Sequence, residues 1–314
     1  MTMLSPGGTR RGGRPSAVVH LLGPLVISVL AGLSTLVTYH VFVRTISGQT
    51  LDTAAMLGTD VQHPRLAGLL SNALDATNMR SVAVVCVIVA AIGGLRRRID
   101  LAIAAAVLVL GANVTTQLLK NRLPRPPFDG LQWENSLPSG HTTAAAAMAF
   151  ALVLVLPEAV RGTAALAGAG FTGAIAISTV WARWHRPSDT VAAILVVLAW
   201  GALVVLGIRL LRWTRQAAPG RPSWLATLPL LVTAALAVPV TVLGLLFAKT
   251  SATVATEPEP SRLSFLTGIA GIAAAVSLAF LTWLWLATAD RDRPRESSSS
   301  RAIPPAHEPG SPGR

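Results

Sequence analysis

Long apolar runs alternate with short polar segments along most of the chain. The runs predict eight helices, at residues 17–43, 78–95, 101–119, 142–160, 163–181, 190–211, 224–248 and 264–289. Runs of about 18 apolar residues or more are typical of helices that cross a membrane. Helices are expected because backbone groups in lipid must find their hydrogen-bond partners within their own segment. The pattern therefore predicts an all-α polytopic membrane protein.

The polar segments divide the chain into regions. The run at 17–43 is longer than the roughly 7–15 apolar residues of a signal peptide, so we expect it to remain as the first helix. The two ends are rich in Gly, Pro, Ser and Arg, which favours disordered tails. We expect five regions: a basic tail, a first helix with its loop, a central core, two extra helices and a second tail, at residues 1–16, 17–79, 80–215, 222–289 and 290–314.

The loop at residues 44–76 mixes apolar and polar positions, and we expect short interfacial helices within it. Its first pattern is weakened by Gly58, so the second pattern is the better helix candidate. The first pattern consists of Leu51, Ala54 and Ala55, and the second of Leu66, Leu69, Leu70 and Leu74.

Composition and charge support a membrane protein over a nucleic-acid-binding one. The chain is 52% hydrophobic and 13% charged, with a formal net charge of +12. The basic residues cluster at the ends of apolar runs, as the positive-inside rule describes, so we expect no nucleic acid partner. Eight helices place both termini on one side, and the basic bias predicts that this side is the cytoplasm. A bias toward Ala, Arg, Gly and Val favours a bacterial plasma membrane.

Three polar islands interrupt the apolar sequence between residues 112 and 189. They are residues 120–126, with the sequence Lys-Asn-Arg-Leu-Pro-Arg-Pro, residues 138–141, with Pro-Ser-Gly-His, and residues 178–189. The helices between them predict that all three meet on one membrane face, outside the cytoplasm. We expect them to form one site for an anionic group.

Each island has a chemical interpretation and a plainer one. Lys120 and Arg125 could grip a phosphate, or could be cations that snorkel to the membrane edge. Pro138-Ser139-Gly140-His141 could present free helix amides to an anion, or could be a simple N-cap. Asp189 could orient His185 as a nucleophile or base, or could cap a helix, as could Ser188.

Together the islands resemble the signature of the type-2 phosphatidic acid phosphatase superfamily, which comprises membrane lipid phosphatases and vanadium haloperoxidase-like enzymes. Pro138-Ser139-Gly140-His141 matches its second motif without change. Ser178, His185 and Asp189 match its third motif, and the resemblance covers about residues 80–210.

The resemblance implies a role for each residue. His185 would attack phosphorus and form a phosphohistidine, Asp189 would orient it, and His141 would protonate the leaving oxygen. Lys120, Arg125, Ser139 and the Gly140 amide would hold the phosphoryl oxygens. The resemblance implies no cofactor and no metal.

The chain departs from the family pattern at two places. Lys120 and Arg125 are separated by four residues, where the family usually has six, so Arg122 is a further candidate. Thr179 stands where the family has Arg, and Arg183 or Arg186 is the candidate replacement cation.

The sequence thus favours a metal-independent phosphatase that acts at the outer leaflet on phosphatidic acid, phosphatidylglycerol phosphate or a polyprenyl pyrophosphate such as undecaprenyl pyrophosphate. Trp133, Trp181 and Trp184 fit an interfacial belt. Six helices would form the core, and the last two would pack on it, form a homodimer or wall a lipid access route. The alternatives are an inactive lipid-phosphate-binding or scaffold protein, and a transporter. A transporter would need ionisable residues within its helices.

Overall fold

The computed structural model consists almost entirely of helices. The described part contains nine: α1 Ala17–Val43, α2 Ile46–Leu57, α3 Met79–Leu95, α4 Ile99–Arg122, α5 Gly140–Val155, α6 Glu158–Trp181, α7 Pro187–Leu211, α8 Trp224–Ser251 and α9 Arg262–Thr288. Two short strands, β1 Ala217–Ala218 and β2 Arg291–Asp292, pair antiparallel. The structure describes residues 17–59, 68, 71–72, 79–128, 130, 134–212, 217–218, 224–251, 259–288 and 291–292.

The length and composition of the helices confirm the prediction of an all-α polytopic membrane protein. Among the described residues, six helices are long and apolar enough to cross a membrane, namely α1, α4, α6, α7, α8 and α9. The remaining apolar helices, α3 and α5, are shorter. Both of them lie within the bundle, where α5 packs against α4, α6 and α7.

The first loop differs from the prediction. The pattern judged weaker forms α2, which begins after Thr45, whose side chain accepts a hydrogen bond from the Gly48 amide at 3.0 Å. Gly58 does not disrupt this helix because it stands at the C-cap, and its amide donates to the Ala54 carbonyl. The pattern judged better, at residues 66–74, lies largely outside the described residues.

The boundary between α5 and α6 also differs from the prediction of a helix at 142–160. α5 ends at Val155 and α6 begins at Glu158, with Pro157 as its N-cap. The residue before a proline avoids the helical region, and proline cannot continue a helix from its interior. Leu156 is accordingly extended, with ψ at 151°.

The core includes α9, one of the two helices expected as additions. Trp283 of α9 stacks on Phe150 of α5 with ring centroids 4.7 Å apart, and Phe280 meets the same ring edge-on at 5.0 Å. The indole of Trp283 also donates to the Phe150 carbonyl at 3.2 Å. Trp283 is fully buried, whereas most of α8 is exposed. α9 is therefore part of the bundle that carries the islands.

The two ends of the bundle have different chemistry. The islands lie at the end where α4 finishes and α5 and α7 begin. At the opposite end, arginine side chains close the helix termini. Arg96 donates to the Val155 carbonyl, Arg161 to the Ala287 carbonyl and Arg209 to the Leu286 carbonyl, and Arg212 pairs with Asp100. Which end faces the cytoplasm stays a prediction.

Candidate active site

The third island folds back on the end of α6. The Thr179 carbonyl accepts hydrogen bonds from the amides of Trp184 at 3.0 Å and His185 at 3.2 Å. Arg183 adopts a left-handed backbone conformation, with φ at 58°, within this turn. Non-glycine residues rarely adopt that conformation outside turns. The turn directs His185 into the bundle, where its side chain is buried.

His185 is held by Asp189, which lies in the first turn of α7. The Nδ1 atom of His185 lies 3.3 Å from Oδ2 of Asp189. The same carboxylate oxygen accepts the Arg186 amide at 2.9 Å and the Ser136 hydroxyl at 2.6 Å. The contact with His185 that an orienting role requires and the contact that caps α7 are therefore both present. An imidazole held through Nδ1 leaves Nε2 available for chemistry.

The second island is tied directly to the third. Ser139 is the N-cap of α5, and its hydroxyl oxygen accepts the Thr142 amide at 3.4 Å. Its own amide donates to the Asp189 carbonyl at 2.9 Å. Together with the contact between Ser136 and Asp189, this bond fixes the N-termini of α5 and α7 side by side. Free amides at a helix N-terminus attract anions.

The first island is anchored by residues outside all three motifs. Tyr39 of α1 donates to the Pro124 carbonyl at 2.7 Å, and Gln49 of α2 donates to the Pro126 carbonyl at 2.7 Å. Arg125 lies between these two prolines, and its guanidinium nitrogens are buried. Its positive charge acts on the Asp189 carboxylate. The loop thus brings one of the two expected cations to the third island.

A cavity of about 640 Å³ lies at the junction of the islands. Lys120, Gly140, His141 and His185 line its polar end. The rest of the lining comes chiefly from one face of α4: Val109, Leu110, Asn113, Val114, Gln117 and Leu118, with Asn121 and Ala144. Leu110 and Val114 are more than half exposed, at 65% and 56%. The cavity therefore opens along a largely apolar face of α4 at the outside of the bundle.

His141 stands in the first turn of α5 and shares the cavity with His185. It is half-buried, and its ring centroid lies 5.6 Å from that of Trp184. Trp184 is 55% exposed. Close to His141 and Lys120 in the sequence, the hydroxyls of Thr143 and Thr116 are 2.9 Å apart and join α5 to α4. This contact fixes the wall that carries Lys120 relative to the wall that carries His141.

The candidate cations near the two motif departures take different positions. Arg122 is exposed at the end of α4, and Arg183 is exposed with its Nε 3.5 Å from the Thr59 hydroxyl. Arg186 is only 2% exposed, and its Nε donates to Thr53 at 2.8 Å. Thr179 is buried and donates to the Ala176 carbonyl. Neither Arg183 nor Arg186 is among the residues that line the cavity.

Several residues of the site could not be found from the motifs. Ser136, Tyr39 and Gln49 are common polar residues with no spacing signal. Asp52 carries a weak signal, because a buried acidic residue on a mostly apolar helix needs a partner. That partner is Ser188 of the third island.

The assembled groups can bind an anion and act on it. Lys120 and the first turn of α5 supply positive potential, His185 supplies a ring nitrogen held by a carboxylate, and His141 supplies a second ring that can carry a proton.

Comparison with known proteins gives one match. Residues 101–217 match the model of the family described as the PAP2 superfamily. This segment begins in α4, ends at β1 and contains all three islands. Neither the curated proteins nor the solved structures compared with this chain match it.

Proposed function

Because residues 101–217 place this chain in the PAP2 superfamily, a family of phosphatase-type enzymes that act on phosphoesters, we propose that it is an integral-membrane lipid phosphatase that works through a phosphohistidine at His185. The observation that carries this proposal is the pairing of His185 with the buried Asp189 at the polar end of a cavity that opens to the membrane.

The proposed reaction has two steps. Nε2 of His185 attacks phosphorus, the bond from phosphorus to the leaving oxygen breaks, and His141 gives its proton to that oxygen. Water then attacks the phosphorus of the phosphohistidine, and His141 takes a proton from it. The nitrogen–phosphorus bond breaks, which releases inorganic phosphate and restores His185. Asp189 stabilises the positive charge that His185 carries in between.

The phosphoryl oxygens are proposed to bind where positive potential converges. Lys120 and Gly140 line the polar end of the cavity, Ser139 precedes Gly140 as the N-cap of α5, and the charge of Arg125 acts on Asp189 beside His185. Preorganised donors of this kind stabilise charge that grows in the transition state. Arg122 and Arg183 lie at the exposed margin, where they would attract the substrate. Arg186 is proposed to hold the site together, since it is buried against Thr53.

The lipid part of the substrate is proposed to lie along α4. The cavity lining runs along α4 from Asn121 back to Val109, which is about 18 Å at 1.5 Å per residue. This distance is somewhat more than half the thickness of the hydrocarbon core, which is about 30 Å. An acyl or prenyl chain therefore fits the exposed side chains of Leu110, Val114 and Leu118. We propose phosphatidic acid, phosphatidylglycerol phosphate or a polyprenyl pyrophosphate as the substrate class.

The site is proposed to face the outside of the plasma membrane, with both termini in the cytoplasm. The arginine-rich end of the bundle supports this orientation, because Lys and Arg are retained on the cytoplasmic side. The reaction is proposed to need no metal. In the part of the chain that the structure describes, no three His, Cys, Asp or Glu side chains form a group that could hold one.

The direct test is phosphate release by the purified protein from the three lipid classes, with and without EDTA. Glycerol 3-phosphate serves as the chain-free control, and His185→Ala serves as the inactive control. We expect release from at least one lipid, unchanged by EDTA and absent in His185→Ala. No release from any lipid, or activity that EDTA removes and Mg²⁺ restores, would contradict the proposal.

A further inference from the structure

Helix α2 contributes to the active site although it precedes the segment that matches the family. Three of its residues reach the catalytic islands. Gln49 contacts the Pro126 carbonyl of the first island, and Asp52 and Thr53 contact Ser188 and Arg186 of the third. Asp52 makes two hydrogen bonds to Ser188.

Asp52 caps the N-terminus of α7. Its Oδ1 atom accepts the Ser188 amide at 3.1 Å, and its Oδ2 atom accepts the Ser188 hydroxyl. The first amides of a helix have no partner within the helix, and a carboxylate is well suited to them because of the helix dipole. Caps usually come from the preceding residues of the same chain segment. Here the cap comes from a different helix, more than a hundred residues earlier.

Burying the carboxylate of Asp52 beside Asp189 is energetically unfavourable, which argues that Asp52 has a role at this position. It is only 3% exposed, and it lies close enough to Asp189 for the two negative charges to repel. Burial and this repulsion raise the pKa of Asp52 to about 6, while Ser188 and Arg186 oppose the rise. The charged groups that face it are Asp189 and Arg186 of α7. A neutral polar residue could cap the helix with less penalty.

Helix α2 cannot shift freely because α9 holds its outer side. The Ser261 amide donates to the Ala54 carbonyl at 3.2 Å, and a Cβ atom on Gly58 would lie only 2.1 Å from the Ser261 carbonyl oxygen. A Cβ atom on Gly268 of α9 would lie 2.6 Å from the Pro187 ring. The first turn of α7 is therefore enclosed by α2 on one side and α9 on the other.

We propose that Asp52 is a positioning residue for the reaction: through Ser188 it holds the first turn of α7 so that Asp189 faces Nδ1 of His185. The inference rests on the proposed phosphatase function. Ser188 and Asp189 are neighbours in the first turn of α7. A rotation of this turn that breaks the contact between Ser188 and Asp52 therefore also moves the Asp189 carboxylate. Asp52 does not line the cavity that Lys120 and Gly140 line.

This placement predicts an effect on turnover more than on substrate binding. Lys120 and Gly140 bind the phosphate from α4 and α5, which Asp52 does not touch. Misplacement of a reacting group by about 1 Å can cost a hundredfold in rate. We expect Asp52→Asn, which keeps the size but loses the charge, to lower kcat by roughly tenfold to a hundredfold and to leave KM within a few-fold of the wild type.

The experiment measures kcat, KM and Tm for Asp52→Asn, Ser188→Ala and the double variant. Asp100→Asn is the matched control, because Asp100 is an ion-paired carboxylate at the opposite end of α4. We expect each single variant to lose turnover, the double variant to lose no more than the more affected single variant, and Tm of Asp52→Asn to stay at or above the wild type. Losses that multiply, an unchanged kcat in Asp52→Asn, or a loss that only follows a lower Tm would overturn the inference.

Binding of orthovanadate separates this inference from the proposed function. Vanadate is a phosphate analogue that can accept a ring nitrogen as a fifth ligand, and its binding needs no turnover. We expect Asp52→Asn to bind vanadate more weakly than the wild type and Asp100→Asn to bind it normally. If the wild type hydrolyses no substrate but the variants show this pattern of vanadate binding, the proposed phosphatase function is refuted and the positioning role of Asp52 is retained. Equal vanadate affinity in Asp52→Asn and wild type, or no vanadate binding by either, would overturn the positioning role.

Discussion

Nδ1 of His185 lies 3.3 Å from Oδ2 of Asp189, at the point where the turn after α6 meets the start of α7. The same oxygen receives the hydroxyl of Ser136, which precedes the second island by two residues. One carboxylate therefore joins a ring nitrogen, a helix start and a neighbouring loop. A change at Asp189 should affect all three, whereas a change at His141 should affect only the chemistry.

The two histidines should respond differently to the leaving group. General acid catalysis is worth about 10²–10⁴-fold, and an alkoxide needs it far more than nitrophenolate does. We expect His141→Ala to lose far more activity on a lipid phosphate than on nitrophenyl phosphate, and His185→Ala to be inactive on both. Steady-state rates on the two substrates decide this. Equal losses for His141→Ala would show that His141 binds phosphate without donating a proton.

The buried charge of Asp52 should make stability depend on pH. Because its pKa in the folded protein is about 6, above the usual 3.8, the folded state binds the proton more tightly and loses stability as pH rises from about 4 to 6. The rise corresponds to at most about 3 kcal/mol. Asp52→Asn lacks this titration. The Tm of Asp52→Asn minus the Tm of the wild type should therefore increase between pH 4.5 and about 6.5. Above that pH, this difference in Tm should be constant. A difference that shrinks as pH rises would contradict the assigned burial.

The apolar face of α4 should matter only for substrates with a chain. Val114→Trp would fill the cavity beside the exposed face, and we expect it to lower kcat/KM on a long-chain lipid phosphate by about tenfold, which is about 1.4 kcal/mol. Its activity on nitrophenyl phosphate should not change. Val107→Trp is the control, because Val107 is exposed on the same helix but does not line the cavity. Equal losses in both variants, or on both substrates, would rule out this route for the chain.

Orientation can be tested with single cysteines in a Cys86→Ala background. Glu134 is exposed beside the second island, and Ala159 is exposed at the opposite end of the bundle, so each is replaced by cysteine. We expect a membrane-impermeant thiol reagent to label Glu134→Cys on intact cells and Ala159→Cys only after lysis. The reverse labelling would place the islands in the cytoplasm. Ser188 is unsuitable for this experiment because it is buried against Asp52.

Much of this organisation could be predicted from the sequence. The apolar runs predict the helices of the bundle because length and hydropathy suffice for that purpose. Of the residues that the motifs single out, Lys120, Gly140, His141 and His185 line the cavity, whereas Arg125 and Ser139 do not. The break at Pro157 was also readable, since the residue before a proline leaves the helical region. Length and hydropathy alone do not show this break, because Ala159 and Val160 resume the apolar residues after it.

The remaining features depend on contacts between distant segments. Gly58 argues against a helix when judged alone, yet it serves as a C-cap because Ser261 approaches it closely. Asp52 looks like an ordinary loop residue until α2 meets the start of α7. Trp283 lies more than ninety residues after Asp189, the last motif residue, and only the packed bundle shows it against Phe150. No local pattern records such long-range contacts.

The most direct measurement is the capture of the phosphoryl group on the enzyme. The purified protein is mixed with a phosphate-labelled lipid substrate, quenched in alkali during turnover and digested. A phosphohistidine survives alkali and is lost in acid, so the two quenches identify the linkage. We predict one labelled peptide that contains His185, present in the wild type and absent in His185→Ala. Full turnover without a labelled peptide, or label retained in His185→Ala, would contradict the proposed mechanism.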